Sequence, residues 1–301
     1  MRAAVFDRFG PPEVLRVAET ADPEPLPGEV RVRIRAAGVQ PFDVAVRRGQ
    51  MPWVTVVFPQ QIGQEYAGVV DKLGDGVTTL AVGDEVLGST MLNGQASAVT
   101  VPAANVVAKP AGLDFPTAAA LVAAAQTATG ALRELEVTDG DVLLVHGAAG
   151  SVGTLAVQLA RLAGARVIGT AGPANHDYLR QLGAVPVPYG DELVTSVKAT
   201  GLTPTVTLDA AGRGAIAASV ALGIDKRRIG TIADDAAAEE HGARLVRAGR
   251  SPARLAEVVA LAARRSLTMP VRAYPLAEVA DAHAVVEAGH GRGKVVLIVE
   301  P

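Results

Sequence analysis

The 301-residue chain contains no cysteine. That excludes disulfides, thiol nucleophiles and thiolate-held zinc in one step. A dominant charge of either sign is also missing: 28 Lys and Arg stand against 31 Asp and Glu, and the net charge of −3 gives no global basic field for nucleic acid. Arg244, Arg247, Arg250 and Arg254 fall at helical spacing in a stretch read as two solvated helices, 236–248 and 252–265. No uninterrupted apolar run approaches bilayer length, and the apolar start carries a charge in place of a cleavage-type core, so the expectation is a cytoplasmic protein without a membrane partner. Internal repeats and low-complexity tracts are absent too. What remains is a 49% hydrophobic composition, enough to fill a sizeable core in two domains or one large one.

The first part alternates with period two at Val30-Arg31-Val32-Arg33-Ile34-Arg35, and it continues with strand-like stretches at Gly63 to Leu73 and Val82 to Leu87. Punctuation by Pro23, Pro25, Pro27, Gly28, Gly74 and Gly76 predicts an antiparallel, barrel-like domain over residues 1–115. From Phe115 an Ala-rich helix, Thr117 to Leu135, leads into alternating elements. Strands are expected at 142–146, 165–170, 184–188, 205–208 and 228–232, with helices at 152–163, 175–182, 191–199 and 214–221 between them. That alternation predicts a doubly wound parallel sheet over 116–266. A strand near Val271 to Tyr274, a helix from Leu276 to Ala288 and a strand Lys294 to Val299 return the tail, 267–301, to the β-rich domain.

The segment joining the first of these parallel strands to its helix carries the clearest chemistry. Ala148-x-Gly150-x-x-Gly153 matches the Gly-x-Gly-x-x-Gly dinucleotide fingerprint except at its first position, although Gly147 stands just before it. Small residues there let backbone approach a pyrophosphate where helix N–H groups lack partners, which makes Ala148, Ala149, Gly150, Ser151, Val152 and Gly153 candidate coenzyme contacts. An ordinary strand-to-helix turn in an Ala/Gly-rich chain is the alternative. The helix is expected to bury Leu155, Leu159 and Leu162, with Val152 and Ala156 on the same side.

With these pieces placed, the chain resembles the zinc-independent quinone oxidoreductase branch of the medium-chain dehydrogenase/reductase superfamily. The motifs run in order: Gly10-Pro11-Pro12-Glu13-Val14-Leu15, Pro25-x-Pro27-Gly28-Glu29-Val30, Gly38-Val39-Gln40-Pro41-Phe42-Asp43, Gly63-Gln64-Glu65-Tyr66-Ala67-Gly68, Val82-Gly83-Asp84-Glu85-Val86, the fingerprint, Asp177 to Ala184, and Gly291-Arg292-Gly293-Lys294. The resemblance implies a GroES-like catalytic domain plus a Rossmann domain, with NADPH in the cleft between them, and a homodimer is the expected assembly.

It also assigns roles. Zinc-dependent relatives place a cysteine and a histidine where Gln40 and Gln64 stand, so no catalytic zinc is expected. Gln40 replaces an Asn whose amide faces the substrate carbonyl, and either donates to a developing oxyanion or caps a turn before Pro41. Asp43 is a site residue or a helix cap. Tyr66 joins Gln40 and Asp43 as a candidate catalytic position, and Phe42, Met51 and Trp53 are candidate substrate contacts for a flat apolar molecule.

The stretch from Val167 to His176 has no acid to bind ribose hydroxyls, which favours NADPH. Thr170, Asn175, His176 and Tyr189 are the implied 2′-phosphate contacts, with Arg180 as a substitute for the usual Lys. Thr127, Ile232, Ala233, Arg292 and Lys294 complete the implied coenzyme set. The implied activity is hydride transfer from NADPH to a quinone or other conjugated carbonyl. An enoyl or alkenal reductase acting on a thioester or enone is the alternative within the superfamily, and a noncatalytic NADPH-binding sensor or scaffold is the alternative outside enzymes.

Overall fold

The computed structural model describes every residue except Ala248, His290 and Pro301. The chain forms two compact units, one from Met1–Ala123 with Ser251–Pro301 and the other Ala124–Arg250. The division therefore assigns the helix at 252–263 to the first unit, whereas the sequence pattern carried the second domain on to 266.

In chain order the first unit opens with β1 (Arg2–Phe6), β2 (Leu15–Glu19), β3 (Glu29–Val39), α1 (Pro41–Arg47), β4 (Gln60–Gln61), β5 (Glu65–Leu73), β6 (Glu85–Ser89), β7 (Ala98–Pro102) and β8 (Val107–Ala108). Helix α2 (Phe115–Glu134) leads into the second unit, which contains β9 (Val142–His146), α3 (Ser151–Leu162), β10 (Arg166–Thr170), α4 (His176–Gln181), β11 (Val185–Val187), α5 (Leu193–Ala199), β12 (Val206–Asp209), α6 (Ala215–Ala221), β13 (Ile229–Thr231), α7 (Asp235–His241) and β14 (Arg244–Leu245). The return supplies α8 (Pro252–Ala263), β15 (Val271–Pro275), α9 (Val279–Ala288) and β16 (Lys294–Ile298).

Strand β3 organises the first unit. Its upper half alternates half-buried Arg31 and Arg33 with buried Val30, Val32 and Ile34, as period-two patterning requires. It pairs antiparallel with β5, β7 and β16 in a seven-stranded sheet of order β15-β16-β3-β5-β6-β8, while β2-β1-β4 form a separate small sheet. Phe6, Val32, Val39, Ile62, Val99, Leu276 and Leu297 share one core.

The second unit is a six-stranded parallel sheet of order β11-β10-β9-β12-β13-β14. Numbered within the unit this is 3-2-1-4-5-6, the order of dinucleotide-binding folds, with its topological switch between β9 and β12. All five residues of β9 are buried, which explains the unbroken apolar run. Two sequence expectations fail here. Leu162 is 58% exposed, and α3 buries Thr154, Leu155, Ala156, Val157 and Ala160. The expected helix 236–248 stops at His241, where Gly242 turns left-handed at φ 67° and β14 follows, so the four arginines share no helical face.

Candidate functional site

The fingerprint turn lies at the switch point. Gly147 adopts φ 72°, and its N–H donates to Thr170 Oγ1 at 3.2 Å while Ala148 N–H donates to the Thr170 carbonyl at 3.0 Å. A Cβ on Gly153 would sit 2.6 Å from Ala148 Cα, so the glycine is what lets the helix start pack on the turn. Gly150 is the N-cap and offers no capping side chain. Among the described residues the N–H groups of Ser151, Val152 and Gly153 have no protein acceptor. Small residues, close backbone approach and a helix start with donors to spare fit a dinucleotide pyrophosphate.

At the end of β10 the loop 171–176 carries no acid. His176 Nε2 lies 3.1 Å from the Ala171 carbonyl and donates to it, and exposed Tyr189 places its hydroxyl 3.6 Å from where a Gly172 Cβ would be. Asn175 is half-buried beside them, and Arg180 pairs with Asp177 at 2.5 Å. Thr170 departs from the expectation of an open 2′-phosphate contact: it is buried and its hydroxyl accepts the Gly147 N–H, so it supports the turn. After β13, Ile232 is half-buried and Ala233 exposed. Thr127 is half-buried on α2, where Thr129, not Thr127, bonds back to the Ala125 carbonyl at 2.7 Å.

Sequence reading missed two groups at the switch point. Asp209, ending β12, accepts from Ala211 N–H at 2.9 Å, Gly212 N–H at 2.8 Å and Thr231 Oγ1 at 2.7 Å, which shapes the loop opposite the fingerprint. His146, ending β9, is buried with Nε2 3.1 Å from Ser219 Oγ. Burial pushes its pKa down to about 4, against the pull of the nearby Asp209 carboxylate. A polar residue closing a buried strand was the available signal for both.

In the first unit the register pairing Gly38 with Glu65 brings Gln40 and Gln64 to the same end of the β3-β5 ladder. Gln40 Nε2 donates to Gln64 Oε1 at 2.7 Å, and Gln64 Nε2 faces Met91 Sδ at 3.5 Å. Asp43 is fully buried at the start of α1, and its Oδ2 accepts the Gln40 backbone N–H at 3.0 Å. The carboxylate therefore acts as a cap that fixes the backbone of Gln40.

Tyr66 does not fit a catalytic role. It is wholly buried, burial raises its phenol pKa, and its hydroxyl has no hydrogen-bond partner among the described residues. Phe42 and Met51 are half-buried against the core; Trp53, 67% exposed, lies 5.7 Å from the Phe42 ring.

Arg292 is exposed, but Lys294 is buried and ion-paired with the fully buried Glu65. A buried ammonium engaged by a carboxylate is a structural partner, so Lys294 does not serve as the expected coenzyme contact. Glu65 also accepts the Ala123 N–H at 2.7 Å through its other oxygen. Among the described residues no three His, Asp or Glu side chains are grouped to hold a metal, and no helix is long and apolar enough to cross a membrane.

Comparison with known proteins agrees with this construction. The alcohol dehydrogenase GroES-like domain family matches residues 26–145, and the zinc-binding dehydrogenase family matches 167–297. The quinone oxidoreductase of Coxiella burnetii superposes with a TM-score of 0.91 at 29% identity, over 100% of this chain and 99% of that one. The Escherichia coli quinone oxidoreductase complexed with NADPH gives 0.89 at 26% identity, over 99% and 100%.

By sequence, the pikromycin polyketide synthase component PikAII of Streptomyces venezuelae is 47% identical over 169 residues, 55% of this chain and 4% of that protein. A quinone oxidoreductase of Pseudomonas aeruginosa is 39% identical over 182 residues, 60% of this chain and 55% of that protein. The chain thus spans a small part of the synthase and about half of the reductase. It belongs to the medium-chain dehydrogenase/reductase superfamily.

Proposed function

We propose that the protein is an NADPH-dependent reductase that delivers hydride to a conjugated carbonyl compound, a quinone or enone, without a metal. The carrying observation is the Gln40–Gln64 side-chain pair: two amides bonded to each other at 2.7 Å occupy the positions where zinc-dependent relatives bear ligands. NADPH, when bound, supplies the hydride.

The second unit would hold the coenzyme pyrophosphate on the N–H groups of Ser151, Val152 and Gly153. Its 2′-phosphate would meet Asn175, His176 and Tyr189 in a loop with no carboxylate to repel it. In the first unit Gln64 orients the Gln40 amide by accepting a hydrogen bond from one of its two N–H groups, which leaves the other to donate to a substrate oxygen as negative charge develops there. Solvent completes protonation. Phe42, Met51 and Trp53 suit a flat apolar substrate.

A second reading, reduction of an enoyl thioester, is favoured by the 47% identity to a polyketide synthase component. Stopped-flow oxidation of NADPH with matched panels of quinones, enones and enoyl thioesters separates the two. Turnover of none of them would leave a coenzyme-binding protein and sink both.

A further inference from the structure

We propose that His283 and Gln95 are positioning residues for Gln40, acting through the carboxylate oxygen of Asp43 that both sides share. The proposal rests on the reading of Gln40 as the carbonyl donor.

Three distant segments meet in the core of the first unit: Asp43 on α1, Gln95 in the loop before β7, and His283 on α9. All three side chains are fully buried. Gln95 Nε2 lies 3.3 Å from Asp43 Oδ2 and 3.3 Å from the Gly38 carbonyl, two acceptors, so the amide must point its N–H groups that way. Its Oε1 is then turned to His283 Nε2, 3.0 Å away. A carbonyl oxygen can only accept, so the His283 proton sits on Nε2.

The ring takes up no second proton. Burial lowers the His283 pKa to about 3, and the positive charge of Arg47 acts in the same direction, so the ring stays neutral. Gln95 itself is anchored through its backbone, which accepts from Ala4 N–H at 2.9 Å and donates to the Ile62 carbonyl at 2.9 Å.

The chain of bonds therefore runs from His283 through Gln95 to Asp43 Oδ2, which also accepts the Gln40 N–H at 3.0 Å. The Gly38 carbonyl, held by the same Gln95 amide, lies two residues before Gln40 on the other side. Gln40 is thus gripped from its cap and from its incoming strand by one buried amide. A buried polar chain bonded end to end, from His283 Nε2 to Asp43 Oδ2, favours one geometry where apolar replacements would allow several.

The test compares wild type with Gln40→Leu, His283→Leu, His283→Gln and the Gln40→Leu/His283→Leu double variant. Single-turnover NADPH oxidation is read with whichever quinone, enone or enoyl thioester the wild type reduces. His283→Leu is expected to slow hydride transfer by about three- to ten-fold, with the NADPH Kd unchanged. His283→Gln keeps an Nε2 donor and is expected to restore the rate to about half of wild type or better. In the Gln40→Leu background the histidine substitution should add nothing.

Equal losses in the two backgrounds, or a His283→Gln variant as slow as His283→Leu, would overturn the proposal. A silent His283→Leu beside a slow Gln40→Leu would do the same while leaving the donor reading intact. A silent Gln40→Leu defeats the donor reading, and the proposal with it. One readout is independent of turnover: the Gln40 amide resonances should shift in folded His283→Leu and return in His283→Gln, and unmoved resonances refute the positioning whatever the substrate.

Discussion

Replacing Lys294 by Met separates the two roles available to that side chain. The Lys294 side chain is 4% exposed and its partner Glu65 is fully buried, so the substitution keeps chain length and strands a carboxylate in the core. Among the described residues only the Ala123 N–H, at 2.7 Å, would still serve it. Breaking a buried pair by removing one partner costs about 3–5 kcal/mol, and the surviving backbone donor argues for about 3. Gly38 adds to the constraint, because even a Cβ there would overlap Glu65 Oε2, so the carboxylate has little room to move away. At about 2–4 °C per kcal/mol for a domain of this size, the thermal midpoint should fall by about 6–12 °C. Calorimetry with circular dichroism reads this directly. The Glu65→Gln/Lys294→Met double variant removes the stranded charge and keeps an acceptor for Ala123, so it should recover more than half of the loss. A Lys294→Met protein as stable as wild type but with weakened NADPH binding would refute the reasoning and return Lys294 to the coenzyme.

Gly150→Glu should abolish coenzyme binding with a native circular dichroism spectrum: the new Cβ would lie an ordinary 3.4 Å from the Gly147 carbonyl, while the carboxylate would occupy the place of the pyrophosphate. NADPH should bind more tightly than NADH in fluorescence titration, and equal affinities would remove the 2′-phosphate reading of Asn175, His176 and Tyr189. The second unit should lose stability as pH falls below 6.5. Its unfolded chain takes up a proton on His146 that the folded chain refuses until about pH 4, a difference of about 3 kcal/mol in total. His146→Gln, which keeps a donor for Ser219, should flatten that slope in urea titrations, and an unchanged slope would assign the acid sensitivity to another group.

The centre of the parallel sheet was legible because β9, β12 and β13 are buried throughout. Runs such as Val142-Leu143-Leu144-Val145 fix a strand to within a residue, whatever surrounds them. Strand β14 was hidden for the opposite reason: both Arg244 and Leu245 are exposed, and the Ala- and Glu-rich approach to them has helical composition. Gly242 was the available warning, a left-handed C-terminal residue in a pattern otherwise favouring continuation. Leu162 misled through spacing alone: it ends α3 58% exposed, while Ala160 in the same turn is buried.

The site was legible where function is written in backbone. A fingerprint of small residues declares its turn because the absence of side chains is the property being used: Gly147 turns at positive φ and Gly153 has no room for a Cβ, whereas Gly150 has room for one and keeps the helix start open. Side-chain roles were less readable because they depend on what folding brings near. Lys294 belongs to a motif that the family resemblance directs to the coenzyme, yet β16 pairs with β3, and β3 with β5, which brings Lys294 to Glu65. Tyr66 lies in the half of β5 that is buried on both faces, and its hydroxyl has no hydrogen-bond partner among the described residues. Gln40 and Gln64 stand out one at a time, but their bond exists only through the register that sets Gly38 against Glu65. Chemistry carried by a turn can be read locally; chemistry carried by a register requires the sheet.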